Sequence, residues 1–210
     1  WDQSAQPLVM KHEKYAIWSA TEIPSGFLTC GADHSIRLWS KSGELIKKID
    51  EAHTDVIRDS VYIPSKNLFV TCSNDGMIKE WLVEGATINN VGSIYCSNTY
   101  LYSLCLLDND TYVVSSEDRC AYIASSKSQK VEDLLPLPDV VWSSAVLLNK
   151  DVLCTCADGF MRTFTNDQSR RCDQETEEHY LKRLQSLTFS NPELQQTNPL
   201  DLQDFASLSS

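Results

Sequence analysis

An all-β fold built from repeated small sheets is predicted by three observations. First, the phrase T-C-G-A-D-H-S-I-R-L-W (Thr29 to Trp39) recurs as T-C-S-N-D-G-M-I-K-E-W (Thr71 to Trp81). It returns in altered form as V-S-S-E-D-R-C-A-Y-I-A (Val114 to Ala124) and C-T-C-A-D-G-F-M-R-T-F (Cys154 to Phe164). Second, the turn aspartates Asp33, Asp75, Asp118 and Asp158 are spaced by 42, 43 and 40 residues. Third, each phrase reads as strand, tight turn, strand, with alternating apolar and polar positions after the turn. A period near forty residues, with a Trp six positions after the Asp, is the signature of a WD-repeat β-propeller blade.

Residues 1–11 read as the end of a preceding blade, with Trp1-Asp2 closing a third strand and Leu8-Val9-Met10 as the outer strand. Four blades are expected over 12–166, at approximately 12–50, 51–92, 93–136 and 137–166. Expected strands fall near 16–22, 27–31, 35–40 and 44–49 in the first blade, and 57–62, 68–72, 77–82 and 86–91 in the second. They fall near 100–106, 111–115, 120–125 and 130–135 in the third. The fourth blade has strands near 141–147, 152–156 and 160–165, with no good candidate for an outer one. Residues 167–210 read as a linker. Within it, 175–187 form a helix with acidic residues in the first turn, Lys182-Arg183 near the end, and a stripe of Tyr180, Leu181, Leu184 and Leu187. That stripe is expected to pack on the propeller edge or to belong to a linker helix, with a partner-binding helix as the alternative. The Ser-, Asn-, Gln- and Pro-rich stretch 190–210 is expected to be disordered. The start at Trp1-Asp2 is read as a start within a repeat, so the chain is expected to be part of a larger protein.

In two blades a buried polar brace is expected: His12, Thr29, Asp33 and Trp39 in the first, His53, Thr71, Asp75 and Trp81 in the second. The loop His bridges the turn Asp and the strand hydroxyl, and the hydroxyl receives the indole N–H, so each buried polar group has a partner. A His, an Asp and a Thr resemble nucleophilic machinery, but the set repeats at blade period and is read as structural. The third and fourth blades lack the His, and Ala124 and Phe164 replace the Trp, so packing alone is expected to hold them; Ser97 stands near the missing His of the third.

Composition narrows the function. The net charge of −11 opposes nucleic acid or an anionic membrane as the main partner. No apolar run reaches the length of a membrane-spanning helix. Of eight cysteines, Cys30, Cys72, Cys105, Cys154 and Cys156 lie in expected strands and no C-x-x-C pair exists, so reduced thiols are expected and neither a metal site nor a disulfide framework. Phosphate-binding loops, dinucleotide fingerprints and nucleophile elbows are absent from the sequence, so no cofactor and no enzymatic activity are expected. The candidate surface is the top face of the propeller. Aligned first strands place Trp18, Arg58, Tyr102 and Trp142 at equivalent positions, with His34, Asn74, Glu117 and Arg119 beside them in the Asp turns. Aromatics and Arg are the residue types that dominate binding hot spots.

The ordered set I-W-S-A, F-L-T-C-G-A-D-H-S-I-R-L-W, H-T-D-V-I-R-D, N-D-G-M-I-K-E-W, L-P-L-P-D-V-V-W-S-S-A-V-L and A-D-G-F-M-R-T-F-T resembles the phospholipase A-2-activating protein family of WD-repeat ubiquitin adaptors. So do E-E-H-Y-L-K-R-L and D-L-Q-D-F in the linker. The resemblance covers nearly the whole chain. It implies a propeller of about seven blades, of which this chain carries about four, that binds ubiquitin on its top face in ubiquitin-dependent degradation and sorting. It also implies a cytoplasmic location, with the nucleus as a second compartment. A valosin-containing AAA ATPase is a family partner through a domain not contained in these residues. The C-A-Y-I-A strand departs from the family by lacking its Trp. A general scaffold whose top face takes another protein or peptide is the competing reading.

Overall fold

The structure is a computed structural model that describes residues 9–11 and 15–187. The first blade is β1 (Ile17–Ile23), β2 (Gly26–Gly31), β3 (Ile36–Ser40) and β4 (Leu45–Ile49). The second is β5 (Ile57–Ile63), β6 (Leu68–Ser73), β7 (Met77–Glu84) and β8 (Thr87–Tyr95). The third is β9 (Leu101–Leu106), β10 (Thr111–Ser116), β11 (Cys120–Ser125) and β12 (Lys130–Pro136). The fourth holds β13 (Val141–Val146), β14 (Val152–Cys156) and β15 (Met161–Phe164). In each sheet the strands lie in sequence order, antiparallel, and the fourth sheet has three strands. The expected strands agree with these to within a few residues. The expected strand over 8–10 does not appear: Leu8 lies outside the described residues, and 9–11 belong to no strand.

The first strands β1, β5, β9 and β13 pack side by side, so the four sheets form an arc of propeller. Three apolar clusters fill the spaces between blades. Leu28, Cys30, Ile36 and Leu38 meet Ile57, Phe69 and Trp81 between blades one and two. Val70, Cys72 and Ile78 meet Leu101, Tyr112, Val114 and Tyr122 between two and three. Val113 and Ala121 meet Val141, Val152 and Cys154 between three and four. Strand alternation explains this, since successive side chains point to opposite faces and each face that meets another blade is covered by it.

A polar seam ties the first strands together. Ser60 Oγ lies 2.8 Å from Ser19 Oγ and 2.9 Å from Thr21 Oγ1. The backbone N–H of Leu104 donates to Asp59 Oδ2 at 2.9 Å, and that of Ser144 donates to Ser103 Oγ at 3.0 Å. Burial raises the pKa of Asp59, and the N–H groups of Leu104 and Ser60 oppose the rise.

At the turns, the residue after each Asp takes a left-handed backbone: His34 (φ 60), Gly76 (φ 76), Arg119 (φ 70) and Gly159 (φ 81). Only Gly fits at 76, because a Cβ there would lie 1.7 Å from the Ser97 carbonyl oxygen. The equivalent position tolerates His and Arg in the first and third blades at a cost in strain.

Helix α1 spans Gln174–Gln185, slightly earlier than expected. Asp173 caps it by accepting from the Thr176 N–H at 2.9 Å. Its stripe packs on the propeller edge: Leu184 is buried in the cluster that contains Leu134 and Tyr122, with Tyr180 and Leu187 against it. The Tyr180 hydroxyl donates to the Pro136 carbonyl, and Arg183 pairs with Asp158 at 3.1 Å. Residues 188–210, including the tail expected to be disordered, lie outside the described residues.

If the helix is part of the fold, Leu184→Ala destabilises the protein by about 2–3 kcal/mol, the cost of emptying a buried Leu site. Urea unfolding measures this, and an unchanged midpoint would show that α1 is detached in solution.

Candidate functional site

The turn aspartates set the top face, and each needs donors. In the second blade the expected brace is complete. His53 Nδ1 lies 2.9 Å from Asp75 Oδ2, its Nε2 lies 2.8 Å from Thr71 Oγ1, and Trp81 Nε1–H donates to Thr71 Oγ1 at 3.0 Å. Asp75 also accepts from the Thr54 and Met77 N–H groups, each at 3.0 Å. Burial pulls the His53 imidazole below its ordinary pKa, although Asp75 draws it upward. Burial likewise pushes Asp75 upward, but His53 and the two N–H groups outweigh it and bring the carboxyl down to about 2. The neutral ring sets the order of donors: indole to hydroxyl, hydroxyl to Nε2, Nδ1–H to carboxylate. In the first blade Trp39 Nε1–H donates to Thr29 Oγ1 at 2.7 Å, and Asp33 receives buried Arg37 at 2.6 Å. His12 lies outside the described residues.

The third and fourth blades correct the expectation that packing alone holds them. Ser97 Oγ donates to Asp118 Oδ2 at 2.6 Å, and the Tyr122 hydroxyl donates to the same oxygen. In the fourth blade Arg162 reaches Asp158 with two bonds, at 3.1 and 2.7 Å. The signal was in the sequence, four residues after each Asp: Arg37, Lys79, Tyr122 and Arg162. All are donors, and Lys79 reaches the Ala52 carbonyl at 2.7 Å. Where the third blade lacks the Trp donor, Val114 also stands in place of the Thr, so neither half of that pair is left unmatched.

The four rim residues share a backbone device that sequence reading missed. In every first strand the pairing register slips at this position: between Ile17 and Ser19, between Ile57 and Asp59, opposite Ser115/Ser116 around Tyr102, and between Val141 and Ser143. Trp18, Arg58, Tyr102 and Trp142 are therefore each the extra residue of a β-bulge, which re-aims the side chain. They form one continuous row. The Arg58 guanidinium carbon stands 4.6 Å from the Trp18 ring centroid and 5.7 Å from that of Tyr102. The Tyr102 and Trp142 rings are 4.9 Å apart. Trp18 and Trp142 are each 52% exposed. Asn74 Oδ1 accepts from Arg58 Nε at 2.8 Å and holds the guanidinium in place. Burial, then the charge and hydrogen bond of Glu117, push the Tyr102 phenol upward, so it remains a neutral donor. Asn74 and Glu117 thus support the row, whereas His34 and Arg119 occupy the left-handed turn position of blades one and three.

All eight cysteines are free thiols, and Cys172 is the exposed one. Among the described residues there is no cluster of three or more His, Cys, Asp or Glu able to hold a metal, and no helix is long and apolar enough to cross a membrane.

These blades, their braced Asp turns and their inner-strand bulges make the chain a four-blade stretch of WD-repeat propeller. Residues 43–81 match the model of the WD domain, G-beta repeat. The chain is 32% identical over 155 residues to the ubiquitin homeostasis protein lub1 of Schizosaccharomyces pombe, covering 73% of this chain and 21% of that protein. It is 27% identical over 180 residues to the ubiquitin fusion degradation protein 3 homolog of Caenorhabditis elegans, covering 81% and 20%. The crystal structure of the WD40 beta propeller domain of Doa1 superposes with a TM-score of 0.70 at 27% identity, over 78% of this chain and 55% of that one. The computationally designed Ika4 protein superposes at 0.66 with 16% identity, over 76% and 98%, a likeness of fold. Over most of its length the chain is homologous to the propeller of the Doa1, Ufd3 and Lub1 proteins, the phospholipase A-2-activating protein family. It spans about a fifth of the length of the curated relatives it matches.

The brace makes stability depend on pH. His53 and Asp75 both have folded pKa values below their unfolded ones, so the unfolded chain binds more protons and acid destabilises the fold. The His53 contribution is present above its ordinary value of about 6.5 and is lost as pH falls through its lower folded value. The Asp75 contribution is lost between 3.8 and about 2. Replacing His53 by Ala costs about 2–3 kcal/mol at neutral pH by leaving buried partners unmatched. It also flattens the decline in denaturant midpoint between roughly pH 7 and pH 5. An equally steep decline in the variant would assign that decline to other groups.

Proposed function

We propose that this propeller arc is a non-catalytic ubiquitin-binding module of an adaptor in ubiquitin homeostasis and ubiquitin-dependent protein degradation, working in the cytoplasm and nucleus. The row of Trp18, Arg58, Tyr102 and Trp142 carries the reading. The names of the homologous proteins, ubiquitin homeostasis protein and ubiquitin fusion degradation protein 3 homolog, point the same way.

The chemistry suits a small folded partner with an apolar patch. Two half-exposed indoles offer area that binding removes from water. Arg58 lies between Trp18 and Tyr102 with its Nε bonded to Asn74, so little side-chain freedom remains to be lost on binding. Its remaining N–H groups donate to partner carbonyls. Bulges on four rigid strands place these groups more firmly than loops would. In this reading the braced His, Asp and Thr groups hold the turns and perform no chemistry.

Arg58→Ala and Trp142→Ala each weaken ubiquitin binding at least tenfold, about 1.4 kcal/mol, as expected of central hot-spot residues. Fluorescence anisotropy with labelled ubiquitin measures this, with near-UV circular dichroism confirming that the variants fold. Unchanged affinity in both folded variants would remove the rim from the ubiquitin reading. Binding of another protein, without competition by free ubiquitin, would favour the general scaffold.

A further inference from the structure

We propose that Asn74 is the positioning residue of the row, and that its being an amide rather than a carboxylate keeps the Arg58 guanidinium open to a partner. The inference rests on the row as the ubiquitin-binding surface and adds the residue that sets its affinity from outside it.

One backbone bond places a turn side chain beside each member of the row. The N–H of the residue before the turn Asp donates to the carbonyl two residues before the row residue, at 2.9 Å in all four blades: Ala32 to Ala16, Asn74 to Val56, Glu117 to Tyr100 and Ala157 to Val140. What stands there varies with the row residue. Ala32 and Ala157 accompany Trp18 and Trp142, whose ring faces need no hydrogen bond. Glu117 accompanies Tyr102 and accepts from its phenol. Asn74 accompanies Arg58 and accepts from its Nε at 2.8 Å.

The amide decides what Arg58 has left to offer. A guanidinium carries five N–H donors in a planar fork, and a carboxylate can take two of them at once. The chain does this elsewhere: Asp158 takes two bonds from Arg162, and Asp33 pairs with Arg37. Asn74 has one acceptor oxygen and no charge, so it holds the guanidinium by Nε alone. Trp18 and Tyr102 flank the group, their ring centroids 4.6 and 5.7 Å from the guanidinium carbon. Nη1 and Nη2 thus remain for a partner acceptor in a geometry fixed before binding, which lowers the ordering cost of association.

The test is a double-mutant cycle on the whole chain, read by the anisotropy of labelled ubiquitin. Asn74→Ala weakens binding about threefold to tenfold, the range expected when one long side chain must be ordered on binding. In the Arg58→Ala background the same substitution leaves the remaining affinity unchanged, since its effect runs through Arg58. Asn74→Asp also weakens binding, because the new carboxylate draws the terminal nitrogens to itself. Alanine already occupies this position in the first and fourth blades, so the turn accepts it, and near-UV circular dichroism checks the fold. Equal weakening with and without Arg58 overturns the inference, because it makes Asn74 a direct contact or a support of the turn. Wild-type affinity in either Asn74 variant also overturns it. Ubiquitin that does not bind the folded wild-type chain removes the reading of the row itself, and the inference with it.

Discussion

Each blade carries a carboxylate into a turn where water is largely excluded, and the remainder of the blade is arranged to supply it with donors. Removing a carboxylate from water without such donors would shift its pKa or unfold the turn. The second blade answers with His53 and two backbone N–H groups, the first with Arg37, the third with Ser97 and Tyr122, and the fourth with Arg162 and Arg183. Four chemical solutions yield one turn geometry. The left-handed residue after each Asp and the sharp reversal into the third strand follow from that geometry.

Those turns support the row of bulge residues. Asn74 precedes Asp75 and holds Arg58; Glu117 precedes Asp118 and bonds Tyr102. The brace below and the bulge above therefore act on the same few residues. One orients the turn, and the other turns a side chain out of the inner strand toward solvent. The helix adds to the fourth blade in the same manner, since Arg183 reaches Asp158 from outside the repeat.

Blade period, strand positions and helix were legible because they rest on local signals: alternation, turn residues and caps. The second brace was legible because His53, Thr71, Asp75 and Trp81 all carry distinctive side chains. The substitute braces escaped notice because Tyr122 and Arg162 do not resemble His, and only alignment four residues after the Asp exposes them as equivalent. The equivalence of Trp18, Arg58, Tyr102 and Trp142 was readable, but their contact was not. Whether an aromatic in an inner strand faces the core or the rim depends on a one-residue register slip, and residue type does not encode that slip.

The most direct test of the ubiquitin reading is a titration of isotope-labelled ubiquitin with the folded chain, followed by NMR. Shifts confined to ubiquitin's apolar patch, abolished by Arg58→Ala, are the predicted result. A ubiquitin spectrum unchanged by a chain with a full near-UV signal would contradict it.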